Sequence, residues 1–142
     1  MKEATVSRTL INKLKRPSLR ITRHEDRRGG IPDISYFYKG VSGWIETKYT
    51  LKYPAKAITN VALNHFTAQQ KLFLRNAKKL GENAFVFWRI EDDYYLFSNG
   101  FEKLGTLTCA ELKMIAYRWW PKKVVDWQEL FRILTLAPTI NS

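Results

Sequence analysis

The pattern of apolar and polar positions divides the first half of the chain into a helix and three strands. Apolar residues recur at helical spacing over residues 3–15, and Pro17 ends the predicted helix. A turn at residues 39–43 favours a hairpin between the two strands on either side of it. Alternating, β-branched and aromatic residues predict strands at residues 19–23, 31–38 and 44–49.

The second half begins with a long connection and then alternates between strands and helices. Residues 50–66 show no clear period and contain Pro54, so we predict a connection without regular structure. Thr67 is a suitable N-cap for a helix at residues 68–80, which Gly81 would end. The remaining predicted elements are strands at residues 84–88 and 94–97 and helices at residues 108–119 and 124–134.

This order of elements predicts one mixed α/β domain of the α+β type. A chain of 142 residues with 45% hydrophobic residues is long enough to bury a core. We expect a central mixed β-sheet flanked by helices within residues 1–100. Residues 101–142 would form a helical extension packed on the same domain.

Composition excludes several classes of protein. Cys109 is the only cysteine, so no disulfide can form within the chain. No apolar run approaches the roughly 18 residues of a membrane span, and no hydrophobic signal region follows Met1. We therefore expect a cytoplasmic protein that does not enter a membrane.

The charge of the chain favours a polyanionic partner. Twenty-four Lys and Arg residues outnumber 13 Asp and Glu residues, which gives a net charge of +11. Residues 1–28 alone carry nine basic and three acidic side chains. Nucleic acid is the simplest partner for such a surface, although a solvated basic face would have the same composition.

Three residues of the predicted hairpin indicate chemistry. Side chains alternate along a strand, so Glu46 and Lys48 would share one face, and pairing of the strands would bring Asp33 beside them. Mg²⁺ is commonly held by one or two carboxylates together with water and phosphate, and a neighbouring lysine can stabilise developing charge. The alternative is a solvated strand end with a surface salt bridge.

Glu3 is a further candidate for the same site. It lies seven residues before Leu10, close to two helical turns, so it falls near the apolar stripe of its helix. It would either reach the carboxylates or only complement the helix dipole as a first-turn acid.

The motifs around these residues resemble the PD-(D/E)xK nucleases. Pro32-Asp33 followed by Glu46-Thr47-Lys48 resembles the signature of that superfamily. Gly30-Ile31-Pro32-Asp33-Ile34 is similar to the G-x-P-D-L motif of the virus-type replication-repair nuclease domains, and residues 66–74 resemble the glutamine-containing start of a helix in that family. The resemblance spans residues 1–98.

The resemblance implies a role for each position. Asp33 and Glu46 would bind Mg²⁺, with Mn²⁺ as a substitute, and the carbonyl of Thr47 would be a third ligand. Glu3 would reach the metal directly or through water, Lys48 would be the catalytic lysine, and Gln70 would face the site. The superfamily includes archaeal-type Holliday junction resolvases, so the implied activity is that of a DNA endonuclease in recombination or repair.

Several further predictions concern DNA and assembly. We expect DNA contacts from basic residues near the site, namely Arg20, Arg23, Arg27, Arg28, Lys52 and Lys56. A four-way junction has two-fold symmetry, so the implied enzyme would act as a homodimer, with the aromatic residues of the C-terminal region as its interface. A phage source, and hence the host cytoplasm, would suit this family. The alternatives are a repair or restriction-type nuclease of other specificity and a basic DNA-binding module without catalysis.

Overall fold

The computed structural model describes residues 2–25, 29–122 and 124–138. In these parts of the chain, six strands form one mixed sheet whose spatial order follows the chain order. Neighbouring strands are antiparallel, except that β3 and β4 run parallel. The strands are β1 (Arg20–Arg23), β2 (Ile34–Tyr38), β3 (Val41–Thr50), β4 (Asn83–Ile90), β5 (Asp93–Phe97) and β6 (Arg118–Trp120).

Helices cover both faces of the sheet. One core packs α1 and α4 against a first face, and a second core lies between the opposite face and the layer that contains α2 and α3. No helix in the described part of the chain has the length and apolar character needed to span a membrane. The helices are α1 (Glu3–Leu14), α2 (Ala68–Lys79), α3 (Cys109–Ile115) and α4 (Trp127–Thr135), with a short 3-10 turn at Phe101–Lys103.

The β2–β3 hairpin turns more tightly than the sequence predicts. Tyr38 pairs with Val41, so only Lys39 and Gly40 form the turn, and both have positive φ values, of 47° and 85°. Positive φ at both central residues matches the strand twist, as in type I′ turns. The predicted turn at residues 39–43 is therefore too long, and β3 gains three residues at its start. Glu46 lies in the middle of this strand.

The C-terminal region departs from the prediction of two helices. The predicted helix at residues 108–119 ends at Ile115, and Arg118–Trp120 instead adds strand β6 to the edge of the sheet beside β5. Trp119 and Trp120 then face opposite cores, as alternation along a strand requires. The single helix over residues 108–119 is a wrong prediction, because pairing with β5 overrides local helical spacing.

Candidate active site

The structure brings Glu3, Asp33, Glu46 and Lys48 together. Ile34 pairs with Ile45 at the open end of the hairpin, which places Asp33 beside Glu46. The Lys48 Nζ atom lies 3.9 Å from a Glu46 oxygen and 3.9 Å from a Glu3 oxygen. The first turn of α1 and the centre of the sheet therefore meet at one polar cluster.

Strand β3 holds the carboxylate of Asp33 in place. Its Oδ2 atom accepts hydrogen bonds from the backbone N–H and the hydroxyl of Thr47, both at 2.8 Å. The carboxylate thus occupies the place where β2 would otherwise continue to pair with β3. The two hydrogen bonds from Thr47 engage only this one oxygen of the carboxylate.

Glu46 is the most unusual side chain of the cluster. It is only 1% exposed, and neither carboxylate oxygen has a hydrogen-bond partner among the described residues. Burial raises the pKa of Glu46 from 4.5 to about 10; the adjacent Asp33 and Glu3 carboxyl groups add to this rise, and Lys48 opposes it. Ionisation of Glu46 is therefore unfavourable in the metal-free protein, and a bound cation would favour it.

Burial also raises the pKa of Glu3, with Lys48 acting in the opposite direction and Asp33 in the same one. Three carboxyl groups therefore share one ammonium group. This excess of acids over nearby cations is what a divalent ion would balance.

Lys48 is buried, which contradicts the alternative of a solvated strand end with a surface salt bridge. The residue is 1% exposed, and its ammonium group donates to the carbonyl oxygen of His65 at 2.8 Å. The ring of Phe66 lies 5.3 Å from the same ammonium group. The long connection thus returns to cover the lysine, and His65 contributes through its backbone, which no sequence motif could reveal.

The donor set fits a hard divalent cation. The orphaned oxygens of Glu46 and the second oxygen of Asp33 are anionic oxygen ligands, which Mg²⁺ and Mn²⁺ prefer. The described residues contain no ready-made group of three acidic, histidine or cysteine ligands. Mg²⁺ sites in general can use one or two carboxylates and complete the shell with water and phosphate.

Gln70 has a structural task at the start of α2. Its side-chain oxygen accepts from the Thr67 N–H at 2.9 Å, while the Thr67 hydroxyl accepts from the Gln70 N–H. These two bonds form a capping box, which satisfies two of the free N–H groups at the helix start. A catalytic role for Gln70 stays a prediction.

A cleft of about 380 Å³ opens beside the carboxylates. Its lining includes Glu3, Ser7 and Asp33 together with Arg23 and His24 from the end of β1. Arg23 is partly buried and pairs with Glu25 at 3.0 Å, whereas Arg20 is exposed on β1. The predicted contacts Arg27 and Arg28 lie outside the described residues.

The connection formed by residues 51–66 is anchored to the domain at two points. The Tyr53 hydroxyl donates to Asp93 at 2.5 Å, and Val61 is fully buried and donates its N–H to the carbonyl of Leu107. Lys52 and Lys56 are exposed. No acidic residue occurs in this connection, so these two lysines have no acidic neighbour within it.

The predicted dimer interface is occupied by the monomer itself. Trp120, Leu130 and Phe131 are buried in the core under α1 and α4, and Trp127 packs against that core. Trp119 packs against the opposite core. These aromatic side chains complete the two cores because β6 and α4 close the sheet, so they are not a free apolar surface.

Comparison with known proteins relates the chain to solved structures but to no family model or curated sequence. No family model and no curated relative matches the sequence. Among solved structures, the chain is similar to that of Hjc from Archaeoglobus fulgidus, a Holliday junction resolvase, with 19% identity and a TM-score of 0.44. The similarity covers 64% of this chain and 74% of that one. The structure itself shows a mixed six-stranded sheet with four described helices, an α+β fold, as the sequence predicts.

Proposed function

We propose that this protein is a metal-dependent endodeoxyribonuclease. The observation that carries the proposal is Glu46, a buried carboxyl group without a hydrogen-bond partner, placed between Asp33 and Lys48. An arrangement of this kind destabilises the fold unless a cation occupies it. It is explained by a site that binds a metal ion and a phosphate group.

Asp33 and Glu46 would hold the metal, Mg²⁺ or Mn²⁺, with Glu3 reaching it directly or through water and the Thr47 carbonyl as a further ligand. When bound, the ion neutralises a phosphodiester and lowers the pKa of a coordinated water. Asp33 offers one oxygen while Thr47 fixes the other, so the ligand is oriented before metal arrives.

Lys48 would act on the phosphate. The His65 carbonyl directs its ammonium group, and burial prevents water from screening its charge. A fixed cation at this position stabilises the additional negative charge of the transition state, or orients the attacking water.

DNA would approach over the basic surface around the site. Arg23 lies at the cleft at the end of β1, Arg20 is exposed at the start of that strand, and Lys52 and Lys56 are exposed on a connection without acids. These side chains would bind phosphate groups and set the position of the strand without selecting a base sequence. The net charge of +11 supports this partner.

For the substrate we propose a four-way DNA junction, cut by a homodimer. One chain offers one such site, and paired nicks in a two-fold symmetric junction need two. The motif resemblance supports this choice over repair or restriction-type cleavage. It also supports recombination or repair, in a phage or its host cytoplasm, as the setting.

A DNA-binding module without catalysis is the contrasting candidate. Binding alone would not require Glu46 and Glu3 to face a phosphate, since like charges weaken association. Glu46 therefore favours the nuclease.

The test incubates purified protein with labelled four-way junction, flap and linear duplex, with and without Mg²⁺. We expect cleavage only with the metal, and the fastest cleavage of the junction. Equal cleavage of all three DNAs would leave a nuclease but refute the junction assignment. Binding without cleavage in Mg²⁺ and in Mn²⁺ would favour the non-catalytic module.

Light scattering at micromolar concentration tests the dimer separately. A mass of twice 16.7 kDa is expected. A monomer that cuts junctions and linear duplex at the same rate would contradict the symmetric mechanism.

A further inference from the structure

A buried serine on α1 extends the hydrogen bonding of Asp33 into the protein interior. Ser7 is 2% exposed, and its hydroxyl lies 2.5 Å from the hydroxyl of Thr47. Thr47 is fully buried and bonds in turn to Asp33. The three side chains form a single line from the helix to the carboxylate.

The direction of the hydrogen bonds in this line follows from the donors available. An ionised carboxylate only accepts hydrogen bonds, so the single proton of the Thr47 hydroxyl points to Asp33. Ser7 must then donate to Thr47. A donor that itself accepts a hydrogen bond becomes a stronger donor, so Ser7 strengthens the hold of Thr47 on Asp33.

We propose that Ser7 and Thr47 are positioning residues that fix Asp33 for metal binding, an inference that rests on the proposed function. In the proposed site, neither hydroxyl group binds the metal ion itself. Both act by holding Oδ2 of Asp33, so Oδ1 would be the oxygen that binds the ion. Outer groups that orient a ligand typically change metal affinity by about 10- to 100-fold.

The position of Ser7 supports this role over simple packing. It lies four residues after Glu3, so both side chains lie on the same face of α1, and both line the cleft. A polar side chain on a helix face that otherwise buries Val6, Leu10 and Leu14 has to be satisfied by a specific partner. Here that partner is the Thr47 hydroxyl, which in turn donates to Asp33.

The experiment measures Mn²⁺ binding by isothermal titration calorimetry without DNA. The variants that remove a hydroxyl group are Ser7→Ala, Thr47→Val and the double variant. Ser7→Thr is the conservative variant that keeps a hydroxyl group at this position. Ser42→Ala is the matched control. Ser42 lies near the start of β3, away from Thr47, and its hydroxyl donates to Glu82. Ser7→Cys keeps the side-chain volume if the alanine variant folds poorly.

We expect Ser7→Ala to weaken Mn²⁺ binding about 10-fold and Thr47→Val to weaken it more. Ser7→Thr should bind Mn²⁺ with the wild-type affinity. The double variant should bind no more weakly than Thr47→Val, because Ser7 acts through Thr47. Ser42→Ala should leave the affinity unchanged.

Two outcomes would overturn the inference in distinguishable ways. If the wild-type protein binds Mn²⁺ and Ser7→Ala or Ser7→Cys binds it equally well, Ser7 is only a packing residue and the proposed nuclease stands. If the wild-type protein binds no Mn²⁺ even with junction DNA present, the proposed function fails together with this inference.

Discussion

Two neighbouring strands at the centre of the sheet bury side chains of opposite chemistry. β3 and β4 run parallel, and their register pairs Glu46 with Val86 and Lys48 with Trp88. All four side chains are at most 1% exposed. On β4 they belong to the core beneath α2, whereas on β3 they form the polar cluster.

This difference indicates that the β4 side chains stabilise the fold, whereas those of β3 serve another purpose. Val86 and Trp88 gain free energy when they leave water, and the Trp88 ring nitrogen finds a partner in Thr50 at 3.0 Å. Glu46 finds no such partner. A buried, unsatisfied acid beside a well-packed strand indicates a position kept for binding rather than for folding.

The largest expected effect is the loss of cleavage when the polar cluster loses an acid. Asp33→Asn should reduce Mg²⁺-dependent cleavage by about 10³-fold or more, because the amide cannot replace the anionic ligand. Junction binding, measured by electrophoretic mobility shift, should persist or strengthen. An Asp33→Asn variant with full activity would place the metal elsewhere.

Removing the lysine should reduce activity even where the protein is still folded. Lys48→Met should reduce cleavage by at least about 100-fold, because no fixed cation then faces the phosphate. It should also lower the melting temperature, because Glu3 and Glu46 lose their ammonium partner and the His65 carbonyl loses its donor. Cleavage is therefore measured at a temperature at which circular dichroism shows both proteins folded. A folded Lys48→Met variant with wild-type activity would remove Lys48 from the chemistry.

The apolar strand should respond in the opposite way. Trp88→Ala should lower the free energy of unfolding by about 3–5 kcal/mol through the cavity that it leaves. Urea denaturation measures the loss. A change below about 1 kcal/mol would show that β4 is not the stabilising partner of the pair.

The charge state of Glu46 predicts a pH dependence of stability in metal-free protein. With its pKa raised from 4.5 to about 10, the folded state binds a proton that the unfolded state has lost, so stability falls as pH rises between these values. Glu46→Gln cannot ionise and should escape this fall.

Melting in EDTA at pH 5 and pH 8 tests this prediction. The melting temperature of Glu46→Gln minus that of the wild-type protein should be larger at pH 8 than at pH 5 by about 3 °C or more. Roughly 1 kcal/mol of stability produces a shift of this size in a domain of this length. An advantage that does not change with pH would show that Glu46 is ionised even without metal.

The smallest effect concerns the connection that covers Lys48. Lys52→Ala with Lys56→Ala should reduce the slope of log affinity against log salt by roughly 2, one unit for each phosphate contact. Lys79→Ala with Lys103→Ala is the control, since these residues lie away from the site at the far end of α2 and in the 3-10 turn. Equal slopes in both variants would move the DNA path elsewhere.

Local rules in the sequence predicted the hairpin and the sharing of one face by Glu46 and Lys48. Strand alternation depends only on neighbouring residues, and the structure places Lys48 within 3.9 Å of Glu46 as a result. The convergence of Asp33 followed from the same hairpin. The start of α2 was also marked locally by Thr67, and its end by Gly81.

The tertiary structure alone decided how these residues are surrounded. Burial of Glu46, the hydroxyls of Ser7 and Thr47 and the carbonyl of His65 all depend on segments distant in sequence. Likewise, β6 exists because β5 offers an open edge to Arg118–Trp120. The sequence determined periodicity and turns through local sterics, whereas burial and hydrogen-bond satisfaction depend on which distant segments meet, and no local pattern contains that information.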